Sequence, residues 1–169
     1  MPQWYRIFYL SMKEKEKFGE FLRKVERYCE YQERCKSDII SKMVSLGVPE
    51  KMKELILYQL YERKYYDDNR FSKEYAIGKL RNNSWGKIKI RYNLKCKSIE
   101  KKIINYALKK IPEKEYTSIF YKIAKKEWES RSKLDLNSRK KRFCRALQGK
   151  GWEFDLINKY LLETTKNRL

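Results

Sequence analysis

Residues 38–57 read DIISKMVSLGVPEKMKELIL, and the way this stretch recurs decides the fold. Two later segments, KIKIRYNLKCKSIEKKIINYAL (87–108) and KRFCRALQGKGWEFDLINKYLL (141–162), can be laid against it without a gap. Ile39, Ile90 and Phe143 then share a column, and four residues on come Met43, Leu94 and Leu147. Gly47, Ser98 and Gly151 follow, each succeeded at once by Val48, Ile99 or Trp152. The next columns are Met52, Ile103 and Leu156, and the pairs Ile56-Leu57, Ala107-Leu108 and Tyr160-Leu161. The copies recur at spacings of 51 and 53 residues.

Apolar residues at i and i+4, a small residue, then a second apolar stripe describe a helix, a break and another amphipathic helix. A small residue such as Gly at the break suits a left-handed C-terminal turn, and Pro49 suits the opening of the next helix. A further helical pattern precedes each pair, at 18–31, 71–80 and 119–128. The expected fold is therefore all-α, a tandem array of three three-helix repeats whose units bury part of their faces against neighbours. The expected boundaries are an N-terminal extension at 1–17 and repeats at 18–62, 63–111 and 112–169, the last carrying the C-terminal tail.

Composition agrees with helix. The 169-residue chain holds only 6 Gly and 3 Pro, few for a protein of many tight turns, while 41% of it is hydrophobic. Its net charge of +20 is uneven. Residues 1–76 carry 16 bases and 13 acids, residues 77–111 carry 11 bases and the single acid Glu100, and residues 122–169 carry 14 bases and 6 acids. Such a surface calls for an anionic partner: DNA, RNA or an acidic protein.

The chain has no histidine, which excludes His-based catalytic sites, and its four cysteines lack the close pairing of a zinc site. Neither a cofactor nor a metal is expected. The N-terminus MPQWYRIFYLSMK lacks the pattern of a signal peptide, and no long apolar run suggests a membrane span. A cytoplasmic monomer is the expectation.

One acidic pair stands out, Asp67-Asp68 within RKYYDDNRFSK (63–73). Adjacent carboxylates at a helix start diverge, which does not suit a catalytic pair converging across a substrate. As an N-cap, Asp67 would accept from free backbone N–H groups while Asp68 faces the positive end of the helix dipole. Tyr66 and Phe71 then hold the two positions of a hydrophobic staple. These four residues are read as a structural cap.

The run Tyr65, Asp67, Asp68, Arg70 and Phe71, with GKIKIRYNLKCKSI and the closing RALQGKGWEFDLINKYL, resembles the RecX family of recombination regulators. The resemblance covers roughly residues 20–163. Lys64, Tyr66 and Ser72 depart from the family's Gly, Leu and Ala, and Ser98 stands where its repeats often carry Gly. The resemblance implies an elongated, curved helical protein without enzymatic activity. It also implies a regulator of recombination, DNA repair and the SOS response that binds the RecA–single-stranded DNA filament and inhibits RecA.

From Tyr75 to Ile99 there is no acid, but Lys79, Arg81, Lys87, Lys89, Arg91, Lys95 and Lys97 are present. Lys87, Arg91 and Lys95 fall at i, i+4 and i+8, one stripe of a helix. Arg139, Lys140, Lys141, Arg142 and Arg145 open the corresponding helix of the third repeat, and Arg142 and Arg145 are expected to face the same side as that stripe. Most aromatics recur at core spacing; Trp85, beside Gly86, is the candidate for an exposed aromatic contact. The alternative function is an independent, non-enzymatic nucleic-acid-binding protein.

Overall fold

The computed structural model describes residues 11–166, and all nine elements among them are α-helices. They are α1 (Met12–Tyr31), α2 (Lys36–Ser45), α3 (Glu50–Glu62), α4 (Asp68–Asn83), α5 (Lys87–Cys96), α6 (Lys101–Lys109), α7 (Glu113–Glu129), α8 (Leu136–Gly149) and α9 (Phe154–Lys166). The aromatic residues of the first ten lie outside this range. Two compact units divide the chain: one takes the described residues up to Phe71 together with Lys97–Ile99, the other takes Ser72–Cys96 and the described residues from Glu100 onward.

In the first unit, Ser11 and Glu14 form a reciprocal capping box at the start of α1. Lys51 also pairs with Glu14, and that hydrogen bond, with those from Ser11, draws the Glu14 carboxyl down to about 2. The core gathers Val25 from α1, Ile39 and Met43 from α2, and Met52, Ile56 and Leu60 from α3. Cys29 joins them, and burial pushes its thiol up to about 11.

The second unit is aromatic at its centre. Phe120 and Tyr116 of α7 lie 5.2 and 4.7 Å from the Trp152 ring, and Phe143 of α8 stacks on Tyr160 of α9 at 5.5 Å. Ile90, Leu94, Ile104 and Ala107 complete the core of α5 and α6.

The helix breaks follow one physical rule. Gly47, Ser98 and Gly151 all take left-handed backbone, with φ of 69°, 59° and 80°. At the first, Val48 N–H donates to the Met43 carbonyl at 3.0 Å and Gly47 N–H to that of Val44 at 3.0 Å. Trp152 and Gly151 repeat this pair of bonds on Leu147 and Gln148, at 3.1 and 2.8 Å. Carbonyls left open by the ending helix are thereby satisfied, and the apolar residue after the break turns back onto the core.

Three apolar columns are buried in every copy: Ile39, Ile90 and Phe143; Met43, Leu94 and Leu147; and Val48, Ile99 and Trp152. The Met52 column needs correction. Ile103 and Leu156 are only half-buried, and their neighbours Ile104 and Ile157 are buried instead. α6 and α9 thus turn the next residue inward.

Candidate functional site

The acidic pair is part of the first unit's frame. Asp67 Oδ1 accepts from the N–H groups of Asn69 and Arg70, at 2.7 and 3.1 Å, at the start of α4. Asp68 Oδ1 accepts from Lys36 N–H at 3.0 Å, the first residue of α2, whose N-cap Cys35 supplies no side-chain cap. Two adjacent carboxylates therefore serve two different helix starts. Arg70 bonds Glu33 at 2.8 Å and the Lys64 carbonyl at 3.2 Å, tying the turn before α4 to the turn before α2. Tyr66 packs against the first unit's core, and Phe71 is buried.

Several cations of the acid-free stretch find carboxylates from distant sequence. Arg81 grips Glu115 through two bonds of 2.6 and 3.0 Å, which raises the Arg81 pKa and lowers that of Glu115. Lys87 pairs with Glu113 at 3.1 Å, and its ammonium lies 4.2 Å over the Tyr116 ring. Lys97 pairs with Asp38 at 2.7 Å. Burial pushes the Asp38 carboxyl up, but hydrogen bonds from Lys97 and Cys35 outweigh it and leave the carboxyl below its ordinary value.

Arg139 is a correction as a binding residue. It is buried, donates to the Trp128 carbonyl at 3.0 and 2.7 Å, and stacks 4.1 Å over the Trp128 ring. A cation at the C-terminal carbonyls of α7 answers the negative pole of that helix and is out of a partner's reach.

Trp85 is likewise not an exposed platform. The ring is half-buried, with the Lys79 and Lys89 ammonium groups 5.2 and 4.9 Å over it. Its neighbour Gly86 forms a joint between helix ends. Gly86 N–H donates to the Lys150 carbonyl at 2.9 Å and Ile88 N–H to that of Gly151 at 3.1 Å. The free donors opening α5 are thus satisfied by the turn that closes α8. Lys87 N–H donates to the Tyr116 phenol oxygen at 2.9 Å, and that phenol donates to Glu153 at 2.6 Å. Burial, then this bond to Glu153, drives the Tyr116 pKa well above its ordinary value.

Two cationic faces remain in the second unit. On α5, Arg91 and Lys95 are exposed, and no carboxylate among the described residues pairs with either. Arg91 instead donates to Asn105 Oδ1 at 2.6 Å and lines a groove of about 620 Å³ with Ile88, Leu108, Lys109 and Ile111. Asn105 and Lys109 belong to this face and were not singled out from sequence. Their signal was positional, because α6 packs directly after α5 in the repeat.

The second face is on α8, where Lys141, Arg142 and Arg145 are exposed and Lys140 is half-buried. Its relation to the stripe differs from expectation. The 53-residue register sets Arg142 against Lys89, whereas Lys87, Arg91 and Lys95 correspond to Lys140, Cys144 and Gln148. At about 100° per residue, Arg142 and Arg145 therefore take the opposite flank of their helix. Among the described residues no three metal-binding side chains converge, and no helix is long and apolar enough to cross a membrane.

A family model described as "RecX, second three-helix domain" matches residues 67–108, from the acidic pair to Leu108 of α6. The chain is 29% identical over 140 residues to the regulatory protein RecX of Bacillus pumilus, covering 80% of this chain and 52% of that one. It is 29% identical over 115 residues to that of Leuconostoc mesenteroides, covering 68% and 43%. The chain thus spans about half the length of the curated relatives it matches.

Among solved structures, the crystal structure of a regulatory protein RecX superposes with a TM-score of 0.77 at 22% identity, over 89% of this chain and 78% of that one. RecX from Lactobacillus salivarius gives 0.75 at 21%, over 88% and 96%. These two establish the fold.

Proposed function

The matched domain, the relatives and the fold support a RecX-family protein, and from that premise we propose that this chain is a non-enzymatic regulator of the RecA recombinase. It acts as a cytoplasmic monomer, docks on the RecA–single-stranded DNA filament through the cationic surface of its second unit, and restrains RecA in recombination and repair.

The observation that carries this reading is the α5 face. Arg91 and Lys95 lie inside the matched segment, stay exposed, and have no carboxylate partner among the described residues, beside a groove floored by Ile88, Leu108 and Ile111. Uncompensated charge beside apolar surface is what a protein partner with acidic side chains recognises. The engagement of Asp67 and Asp68 with helix N–H groups supports a non-catalytic role.

The test is RecA-dependent ATP hydrolysis on single-stranded DNA. Added protein should suppress hydrolysis, and the Arg91→Gln/Lys95→Gln variant should suppress it less. Unchanged hydrolysis in the presence of excess folded wild type would refute the proposal.

A further inference from the structure

Lys89 leaves α5 on the flank opposite Arg91 and Lys95 and reaches a different neighbourhood. Its ammonium donates to the Gly149 carbonyl at 3.0 Å, at the C-terminal end of α8, while lying over the Trp85 ring. Lys79 of α4 lies over the same ring. Along α8, Lys141, Arg145 and Gly149 stand at i, i+4 and i+8, and Arg142, Arg145 and Gly149 at i, i+3 and i+7, so all share one side of the helix. The contact at Gly149 thus joins the free cations of α8 to Lys89, and Trp85 joins Lys89 to Lys79. Three helices contribute five cations to one ridge, and no carboxylate among the described residues pairs with any of them.

We propose that this ridge binds the phosphodiester backbone of a nucleic acid, apart from the groove of α5 and α6. The two faces differ in chemistry. The groove mixes Arg91 and Lys109 with Glu113, Glu153 and the apolar Leu108 and Ile111, which suits the mixed chemistry of a protein surface rather than a chain of phosphates. The ridge is cationic throughout. Trp85 acts as a positioning residue, because a half-buried ring already faced by two ammonium groups holds those groups in place and is not open for a base to stack on. Recognition through phosphates alone reads no base, so a duplex, with its denser charge, binds at least as tightly as a single strand.

The inference extends the regulator reading, and its test leaves RecA out. Anisotropy of a labelled mixed-sequence oligonucleotide is measured in single-stranded and duplex form, with polyglutamate as competitor. The ridge variant is Lys141→Gln/Arg142→Gln/Arg145→Gln, whose three side chains are exposed; Arg91→Gln/Lys95→Gln is the comparator. The ridge variant should bind at least about tenfold more weakly, with the slope of log affinity against log salt falling by about two to three. The comparator should remain close to wild type, the duplex should bind no worse than the single strand, and polyglutamate should compete poorly. Absent binding by wild type, undiminished binding by a folded ridge variant, or a strong preference for single strands would overturn the inference. A wild type that binds oligonucleotide through the ridge yet leaves RecA untouched would defeat only the regulator reading.

Discussion

The two compact units handle their cations differently. In the first, charge is nearly balanced along the sequence, and long-range pairs stitch helices together: Arg63 to Glu26 at 2.7 Å, Arg70 to Glu33 at 2.8 Å, Lys97 to Asp38 at 2.7 Å. In the second, Arg81 and Lys87 are paired, but Arg91, Lys95, Lys141, Arg142 and Arg145 have no carboxylate partner among the described residues. Exposed ion pairs contribute little stability, roughly 0–1 kcal/mol each. The contrast therefore concerns recognition more than folding. The first unit comes close to balancing its own charge, and the second leaves a large excess for a partner to neutralise.

The comparison breaks most sharply at Gly86, which joins α5 to the turn after α8. A Cβ built there would sit 2.2 Å from the Gly151 carbonyl oxygen and 2.5 Å from its carbon, both backbone atoms. Gly86→Val should destabilise the second unit by about 3 kcal/mol or more. Gly78→Ala, where a Cβ meets nothing within 4 Å, should be neutral or stabilising. Chemical denaturation measures both.

Arg139 sharpens the comparison from inside the second unit, because it is a cation that holds the fold. Arg139→Met leaves the Trp128 carbonyl without its charged donor and should cost about 2–3 kcal/mol, while Arg142→Met on the exposed side of the same helix should stay within about 0.5 kcal/mol of wild type. Equal losses would mean that burial does not separate the two roles.

A smaller effect is expected at the acidic pair. Asp67→Ala and Asp68→Ala should each cost about 1 kcal/mol, although they uncap different helices. Smallest, and of opposite sign, are Lys64→Gly and Ser98→Gly. Both residues hold left-handed backbone, with φ of 57° and 59°, which glycine adopts without strain. Each change should raise stability by up to about 1 kcal/mol, after offsetting the greater freedom glycine gives the unfolded chain. Thermal unfolding of each variant reads the sign directly.

Helices and breaks were legible in the sequence because their causes are local. A period of 3.6 residues and a left-handed residue at each break can be recognised within twenty residues. The Met52 column failed where the sequence offers apolar doublets, Ile103-Ile104 and Leu156-Ile157, since either member can face inward and tertiary packing chooses. The binding stripe was legible only in part. An acid-free stretch suggested free cations, but Arg81, Lys87 and Lys97 meet Glu115, Glu113 and Asp38, separated by 34, 26 and 59 residues. Trp85 looked exposed beside a glycine because sequence does not reveal that Gly86 meets the turn at Gly151. Arg139 looked like its basic neighbours; only its helical phase, four residues before Phe143, marked it as inward-facing.

The central claim is that placement of unpaired charge, and not net charge, directs the second unit to its partner. The most direct test removes two positive charges from each unit in turn and measures association with RecA–single-stranded DNA filaments. Arg91→Gln/Lys95→Gln alters the second unit, and Lys24→Gln/Arg27→Gln alters exposed cations of α1 in the first. The account predicts that the first variant binds about tenfold more weakly while the second stays within about twofold of wild type. Equal weakening of both folded variants would contradict it, leaving bulk charge as the whole attraction.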